Sequence, residues 1–328
     1  MNLEDVARRA GVSTATVSRV LNNIGVVRKA TRTKVLKAAD ELKYSPNLHA
    51  RALAGAGRTI GLIVSNLENP FFLDIFHHLD LGAHELGYEV LIANTSYDPE
   101  RLNRSIQLML GRRPTGLGIV VSELDGKVLD ELSERKIRTV AYDATGERPG
   151  VTNIRTGYKR AMQRVVEYLY SLGHRRMAFV GHHSALGPLN DRQQAFLEAM
   201  ERFEGVEHAA AANEDSFAGG RSAVREIFER GFRPTAIICV NDFMAIGVLR
   251  QLREMGLRVP EDVSVSGFDN ISLSEVSSPA LTTLHIPRDL IGRQILEHLV
   301  GSNEPGADEM VIEPELMVRE STGCAPAL

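Results

Sequence analysis

The chain has 328 residues and 43% hydrophobic side chains, enough to bury several cores and too much for one small module, so two or three domains are expected. Its 38 basic against 42 acidic residues give a net charge of -4, which by itself argues against a nucleic-acid partner. Two cysteines exclude a disulfide framework; the opening MNLEDVARRA lacks an apolar signal core, and no run reaches membrane-span length, so a cytoplasmic protein with no membrane contact is expected.

The average charge hides an asymmetry. Residues 1–58 carry eleven Lys and Arg against four Asp and Glu, a net of +7, which leaves the remainder at -11. A basic end on an acidic body suits a protein that offers one end to phosphate.

In chain order, residues 1–58 read as helices without strands. Asn2 and Asp5 are a capping pair for a first helix with Leu3, Val6, Ala7 and Ala10 on its apolar stripe, and Gly11 ends it. Ser13 can cap a second helix, which turns Val17, Val20 and Leu21 inward and Thr14, Ala15, Ser18, Arg19 and Asn22 outward. That outer face is short and polar with one Arg, as a major-groove reader requires: small side chains allow close approach, and a guanidinium bonds a guanine edge in bidentate fashion. A third helix over 31–42 is expected to bury Val35, Leu36, Ala39 and Leu42 and to offer Arg32, Lys34 and Lys37 to phosphates. Arg28 stands before it where an oxygen-bearing cap is wanted, unless Thr31 takes that role.

From residue 59 apolar runs alternate with amphipathic stretches, with strands expected at 60–64, 90–93, 117–121, 139–142, 177–180, 236–240 and 263–266. Alternation of this kind means βαβ crossovers, parallel sheets and two similar lobes, with ligands bound beyond the carboxyl ends of the strands. The run Gly55-Ala56-Gly57, followed by Gly61, precedes a strand instead of following one, so it is no nucleotide loop. His77-His78 and His182-His183 lack further ligands at metal spacing, and no nucleophile stands with a base; no metal, no cofactor and no catalysis are expected.

The run VARRAGVSTATVSRVLN (6–22), with Tyr44-Ser45-Pro46-Asn47 and Arg51-Ala52-Leu53-Ala54-Gly55 after it, closely resembles the DNA-binding region of the lactose/galactose repressor family. The resemblance continues through IGLIVSNLENPFF, LGHR before MAFVG, PTAIICVND, GLRVPEDVSVSGFDN and PALTTL. It implies an all-α helix-turn-helix headpiece (1–46), a hinge helix and linker (47–58) and a periplasmic-binding-protein-like α/β core of two doubly wound lobes (59–328). Lobe one would span about 59–156 and 288–313, and lobe two about 157–287 and 314–328. The implied function is a sequence-specific repressor, a homodimer on a palindromic double-stranded operator, gated by a small-molecule effector such as a sugar. Its DNA contacts would be Ser13, Thr14, Ala15, Thr16, Ser18, Arg19, Asn22, Asn47, Ala50, Arg51 and Leu53, the last as a minor-groove wedge. The effector contacts would be Phe71, Phe72, Arg192, Asn241 and Asp269.

On the residues alone the structural readings are favoured: Phe71 and Phe72 as core, Asp269 as a turn former, Asn241 as a helix cap and Arg192 as a surface ion-pair partner. Leu186, Pro188 and Ile286 stand where relatives place polar contacts, which points to a less polar ligand or to weak binding. A protein co-regulator in place of the small molecule is the alternative; a solute-binding protein is disfavoured by the headpiece. The tail STGCAPAL has no heptads, so a dimer is expected instead of a coiled-coil tetramer.

Overall fold

The structure, a computed structural model, describes residues 2–21, 27–44, 58–183, 187–301 and 309–327. Asn22, Asn47, Ala50, Arg51, Leu53, Leu186 and the expected hinge helix lie outside the described residues.

The headpiece is three helices: α1 (Leu3–Ala10), α2 (Thr14–Leu21) and α3 (Lys29–Glu41). The capping box at α1 is complete, with Asp5 N donating to Asn2 Oδ1 at 3.0 Å and Asn2 N to Asp5 Oδ2 at 2.9 Å. Gly11 ends α1 with φ at 67°, a left-handed conformation that suits glycine. Ser13 Oγ accepts from Thr16 N at 3.2 Å and so caps α2. Val6, Ala7, Val17, Val20, Val35, Ala38 and Ala39 form the small core.

Two expectations for α3 need correction. Leu36 is 48% exposed and Ala38 is buried instead, because Val35, Ala38, Ala39 and Leu42 follow the helical spacing that faces α1 and α2 while Leu36 falls one position off it. The helix also starts two residues early, at Lys29, with Arg28 as an N-cap that makes no side-chain hydrogen bond, so Thr31 sits inside the helix and caps nothing.

The body contains two parallel sheets. The first is built from β1 (Thr59–Val64), β2 (Glu89–Asn94), β3 (Gly116–Val120), β4 (Thr139–Tyr142), β5 (Val151–Thr156) and β11 (Glu309–Ile312), six strands in the order β11-β5-β4-β3-β1-β2. Helices cover both faces, as an all-parallel sheet requires. Ile60, Leu62 and Val64 of β1 pack with Ile75 and Leu79 of α4 (Pro70–Glu85) and with Ile291 and Ile295 of α12 (Arg288–Val300). Ile63 points the other way, toward Leu102, Ile106 and Met109 of α5 (Pro99–Gly111) and Leu132 of α6 (Gly126–Glu134).

The second sheet is built from β6 (Arg176–His182), β7 (Glu207–Asn213), β8 (Ala236–Cys239) and β9 (Ser264–Ser266), four strands in the order β7-β6-β8-β9. Around it run α7 (Tyr158–Ser171), α8 (Pro188–Met200), α9 (Phe217–Glu229), α10 (Asp242–Glu254) and the short α11 (Ser272–Val276). An antiparallel pair, β10 (Thr283–His285) with β12 (Glu315–Met317), completes the fold. The chain therefore passes between the lobes three times: from β5 to α7, from β10 to α12 and from β11 to β12.

Candidate functional site: the cleft between the lobes

The carboxyl ends of β1, β3 and β4 in one lobe face those of β6 and β8 in the other. Between them is a narrow cleft of about 30 Å³ lined by Phe71, Phe72, Val120, Val121, Tyr142, Pro188 and Leu189 as apolar wall, with Asn69, Tyr97, Ser122, Arg192, Asn241 and Asp269 as polar groups. All five expected effector residues line this cleft, and Phe71 and Phe72 belong to the core while forming one of its walls. Their rings meet edge to face at 5.2 Å, and Phe71 leans on Tyr142 at 6.0 Å. Pro188 lines the cleft, whereas Ile286 is fully buried in the core behind it.

Arg192, in the second turn of α8, is 5% exposed. Its Nη1 donates to Val240 O at 2.6 Å and its Nη2 to Tyr158 Oη at 3.4 Å, and the guanidinium lies over the rings of Phe268 (4.3 Å) and Tyr158 (4.8 Å). Burial opposes its charge, but Tyr158 and Asp269 beside it more than compensate and hold its pKa above the ordinary value. Asp269 Oδ1 is 3.5 Å from Nη2, an ion pair without a hydrogen bond, so Arg192 Nε and Asp269 Oδ1 are both buried and unbonded. Burial pushes the Asp269 carboxyl up to about 7 against the pull of Arg192 and Arg288. Its backbone is strained, with φ at 104°, and is held there by Arg288, whose Nη1 bonds the carbonyls of Asp269 and Ile286. Arg288 Nε also pairs with Asp74 Oδ2 of α4 at 3.0 Å and so ties the Asp269 turn to the opposite lobe.

Asn241 is less available than its position suggests. Its Oδ1 caps α10 by accepting from Met244 N at 2.9 Å, and its Nδ2 donates to Asp215 Oδ1 at 2.7 Å. The residues that sequence reasoning missed are this Asp215, Tyr97, Tyr158 and Asp143. Tyr158 Oη donates to Asp143 Oδ2, and Thr156 N to Asp143 Oδ1 at 2.6 Å; burial nevertheless raises the Asp143 carboxyl to about 6. The chain Asp143, Tyr158, Arg192, Asp269 thereby runs from one lobe to the other behind the cleft wall. None of the four missed residues lies in a recognisable motif, and only their positions just past strand ends could have singled them out.

On the headpiece, Ser13, Thr14, Ala15 and Arg19 are exposed or half-buried on one side of α2, with Thr16 and Ser18 beside them. Lys37 of α3 is exposed and only loosely paired with Glu41, at 4.0 Å.

Comparison with known proteins agrees with this architecture. The pattern of bacterial regulatory proteins of the lacI family matches residues 2–47, and that of a periplasmic binding protein-like domain matches residues 166–322. The HTH-type transcriptional repressor PurR of Vibrio vulnificus is 34% identical over 97% of this chain and 98% of its own length, and that of Photobacterium profundum is 32% identical over 97% and 98%. The chain belongs to the lacI family of bacterial regulatory proteins. It is a DNA-binding transcriptional repressor of that family's plan, a helix-turn-helix headpiece on a two-lobed α/β core. Among solved structures, the lac repressor dimer bound to operator and the anti-inducer ONPF superposes on this lacI-family chain with a TM-score of 0.82 at 28% identity, over 98% of this chain and 99% of that one. A transcriptional regulator CelR in complex with cellobiose gives 0.70 at 28% identity, over 98% and 99%. Among the described residues, no helix is long and apolar enough to cross a membrane.

Proposed function

We propose that this lacI-family chain represses as a homodimer on a palindromic operator and that a neutral, hydroxyl-bearing small molecule, a sugar or a similar polar metabolite, binds between its lobes as effector. The observation that carries the effector reading is the pair of unbonded buried atoms, Arg192 Nε and Asp269 Oδ1, on residues that line an aromatic-walled cleft. Buried polar atoms are normally satisfied, and a donor and an acceptor left open on an ion-paired arginine and aspartate are answered by a group that both accepts and donates. A hydroxyl does so with one oxygen, and the C–H face of a ring covers Phe71 and Phe72.

In this reading residues 1–46 read DNA, 47–58 link, and 59–328 hold the effector, with lobe one taken as 59–156 and 288–313 and lobe two as 157–287 and 314–328. The bases are read by Ser13, Thr14, Ala15, Thr16, Ser18 and Arg19 of the headpiece. Dimerisation has apolar surface to use: Leu73, Leu81 and Leu108 on the six-stranded lobe and Phe217, Leu273 and Val276 on the other are exposed. The solved relative bound to operator is a dimer, and the CelR relative holds a disaccharide, which supports both halves of the proposal.

The test is a thermal-shift screen of sugars, sugar acids and sugar phosphates on the full chain and on Arg192→Ala. A ligand of the folded state raises the melting temperature. The expected result is a neutral sugar or polyol that stabilises the wild type and not Arg192→Ala; stabilisation of both alike would remove the cleft from the account.

A further inference from the structure

Asp215 lies between β7 and α9 in the four-stranded lobe and is only 5% exposed. Its carboxylate collects four side-chain donors. Asn241 Nδ2 reaches Oδ1 at 2.7 Å, and Tyr97 Oη, Asn66 Nδ2 and Asn69 Nδ2 reach Oδ2 at 2.5, 3.1 and 3.3 Å. Asn66 Nδ2 also bonds the Asp215 carbonyl at 3.0 Å. Asn66, Asn69 and Tyr97 come from the other lobe, from the segments that follow β1 and β2.

These donors are themselves fixed. Asn69 uses its Oδ1 to cap α4 through Phe71 N at 3.1 Å, as Asn241 caps α10, so each amide holds a helix with one end and Asp215 with the other. Tyr97 is steadied by His182 of the Asp215 lobe, ring against ring at 4.4 Å. Separating the lobes would exchange three of the four hydrogen bonds to this carboxylate for water, and hydrogen bonds to a charged acceptor are the stronger ones. Three of the donors, Asn69, Tyr97 and Asn241, line the cleft, so its own polar groups are engaged before any ligand arrives.

We propose that Asp215 is an interlobe latch, a positioning residue that holds the two lobes together across the cleft in the absence of ligand. The lobes close on the protein's own carboxylate without waiting for an effector to draw them together. This role stands apart from the effector reading, because it needs no ligand.

The experiment is amide hydrogen exchange of the full-length, ligand-free chain, comparing the wild type with Asp215→Asn. Replacing the carboxylate by an amide sets N–H against the N–H groups of Asn66, Asn69 or Asn241. The latch predicts exchange at least tenfold faster on both sides of the cleft: at 66–72 and 95–98 in one lobe and at 214–217 in the other. Faster exchange confined to 207–217, or none, would overturn it, because a residue that only shapes its own turn leaves the opposite lobe untouched. Should Asp215→Asn not fold, Asn66→Ala and Tyr97→Phe, each a change in the opposite lobe, must speed exchange at 214–217; unchanged protection there would equally overturn the latch.

Discussion

Asn69 and Asn241 stand at matching places in opposite lobes, each capping the helix that follows a parallel strand and each turning its Nδ2 onto Asp215, at 3.3 and 2.7 Å. One amide thus does a local and a distant task, and substitution can separate them. Aspartate caps helices as well as asparagine does, so a pure cap tolerates Asn241→Asp, while Asn241→Ala costs about 1 kcal/mol. Beside Asp215 the order reverses: Asn241→Asp keeps the Met244 cap but puts two carboxylates together in a buried place, a loss on the order of 3 kcal/mol. Urea denaturation of the two variants checks this, with Asn241→Asp expected to be the less stable.

Arg19 and Lys37 belong to different parts of DNA recognition. Arg19 lies on α2, the proposed base-reading helix, whereas Lys37 projects from α3 with only a 4.0 Å contact to Glu41. Arg19→Ala should cost about 1 to 3 kcal/mol on the operator and flatten discrimination among its variants. Lys37→Ala should weaken specific and random DNA alike and lower the salt slope by about one. Fluorescence anisotropy against both DNAs at several salt concentrations separates them, and equal losses on both DNAs for Arg19→Ala would count against its role.

The carboxyl of Asp269 is raised to about 7 and that of Asp143 to about 6, each first by burial. A carboxyl whose folded pKa lies above its unfolded value takes up a proton on folding. Its contribution to stability is therefore full below the unfolded value of 3.8, is lost as pH rises toward 6 for Asp143 and 7 for Asp269, and is constant above. Asp269→Asn should accordingly lose less stability than the wild type between about pH 5 and pH 7. An effector hydroxyl donates more strongly to the ionised form of Asp269 than to the protonated one, so affinity should rise as pH passes through about 7 and level off above. Calorimetry from about pH 5 to 8 reads this directly, and a flat profile would exclude Asp269 as the acceptor.

Helices α9 and α10 touch through glycine. A Cβ on Gly220 would lie 2.1 Å from Met244 O, and one on Gly247 would lie 2.1 Å from Phe217 O, both fixed backbone atoms. Gly220→Ala or Gly247→Ala must push the helices apart, at a cost of about 1 to 3 kcal/mol. Because Asp215 precedes α9 and Asn241 begins α10, either change should also loosen the Asp215 cluster, seen as lost exchange protection at 66–72.

Much of this was legible in the sequence. The charge split, the Asn2 and Asp5 capping box and the inward spacing of Val17 and Val20 carried the headpiece, and alternation of apolar runs carried the two parallel sheets. The missed strands have physical reasons. β5 reads VTNIRT, whose Asn and Arg break an apolar run, and the β7 stretch reads EHAAAAN, where alanine favours helix and only pairing along β6 makes a strand; β10, β11 and β12 have three or four residues each. Leu36 was misplaced because one residue of phase turns a helix by about 100°. Asp215 was invisible for a different reason: its partners in the other lobe lie 118 to 149 residues away, and neither periodicity nor motif reports a contact made only when two lobes meet.

In the proposed repressor, effector binding in the cleft and operator binding by the headpiece are coupled through one free energy. The most direct measurement takes the neutral ligand found by thermal shift and determines operator affinity with and without it, and ligand affinity with and without operator. Linkage requires the two ratios to be the same factor, expected at roughly 5- to 150-fold, and Arg192→Ala should bring both to one while leaving ligand-free operator binding intact. A ligand that occupies the cleft and leaves operator affinity unchanged would contradict the account.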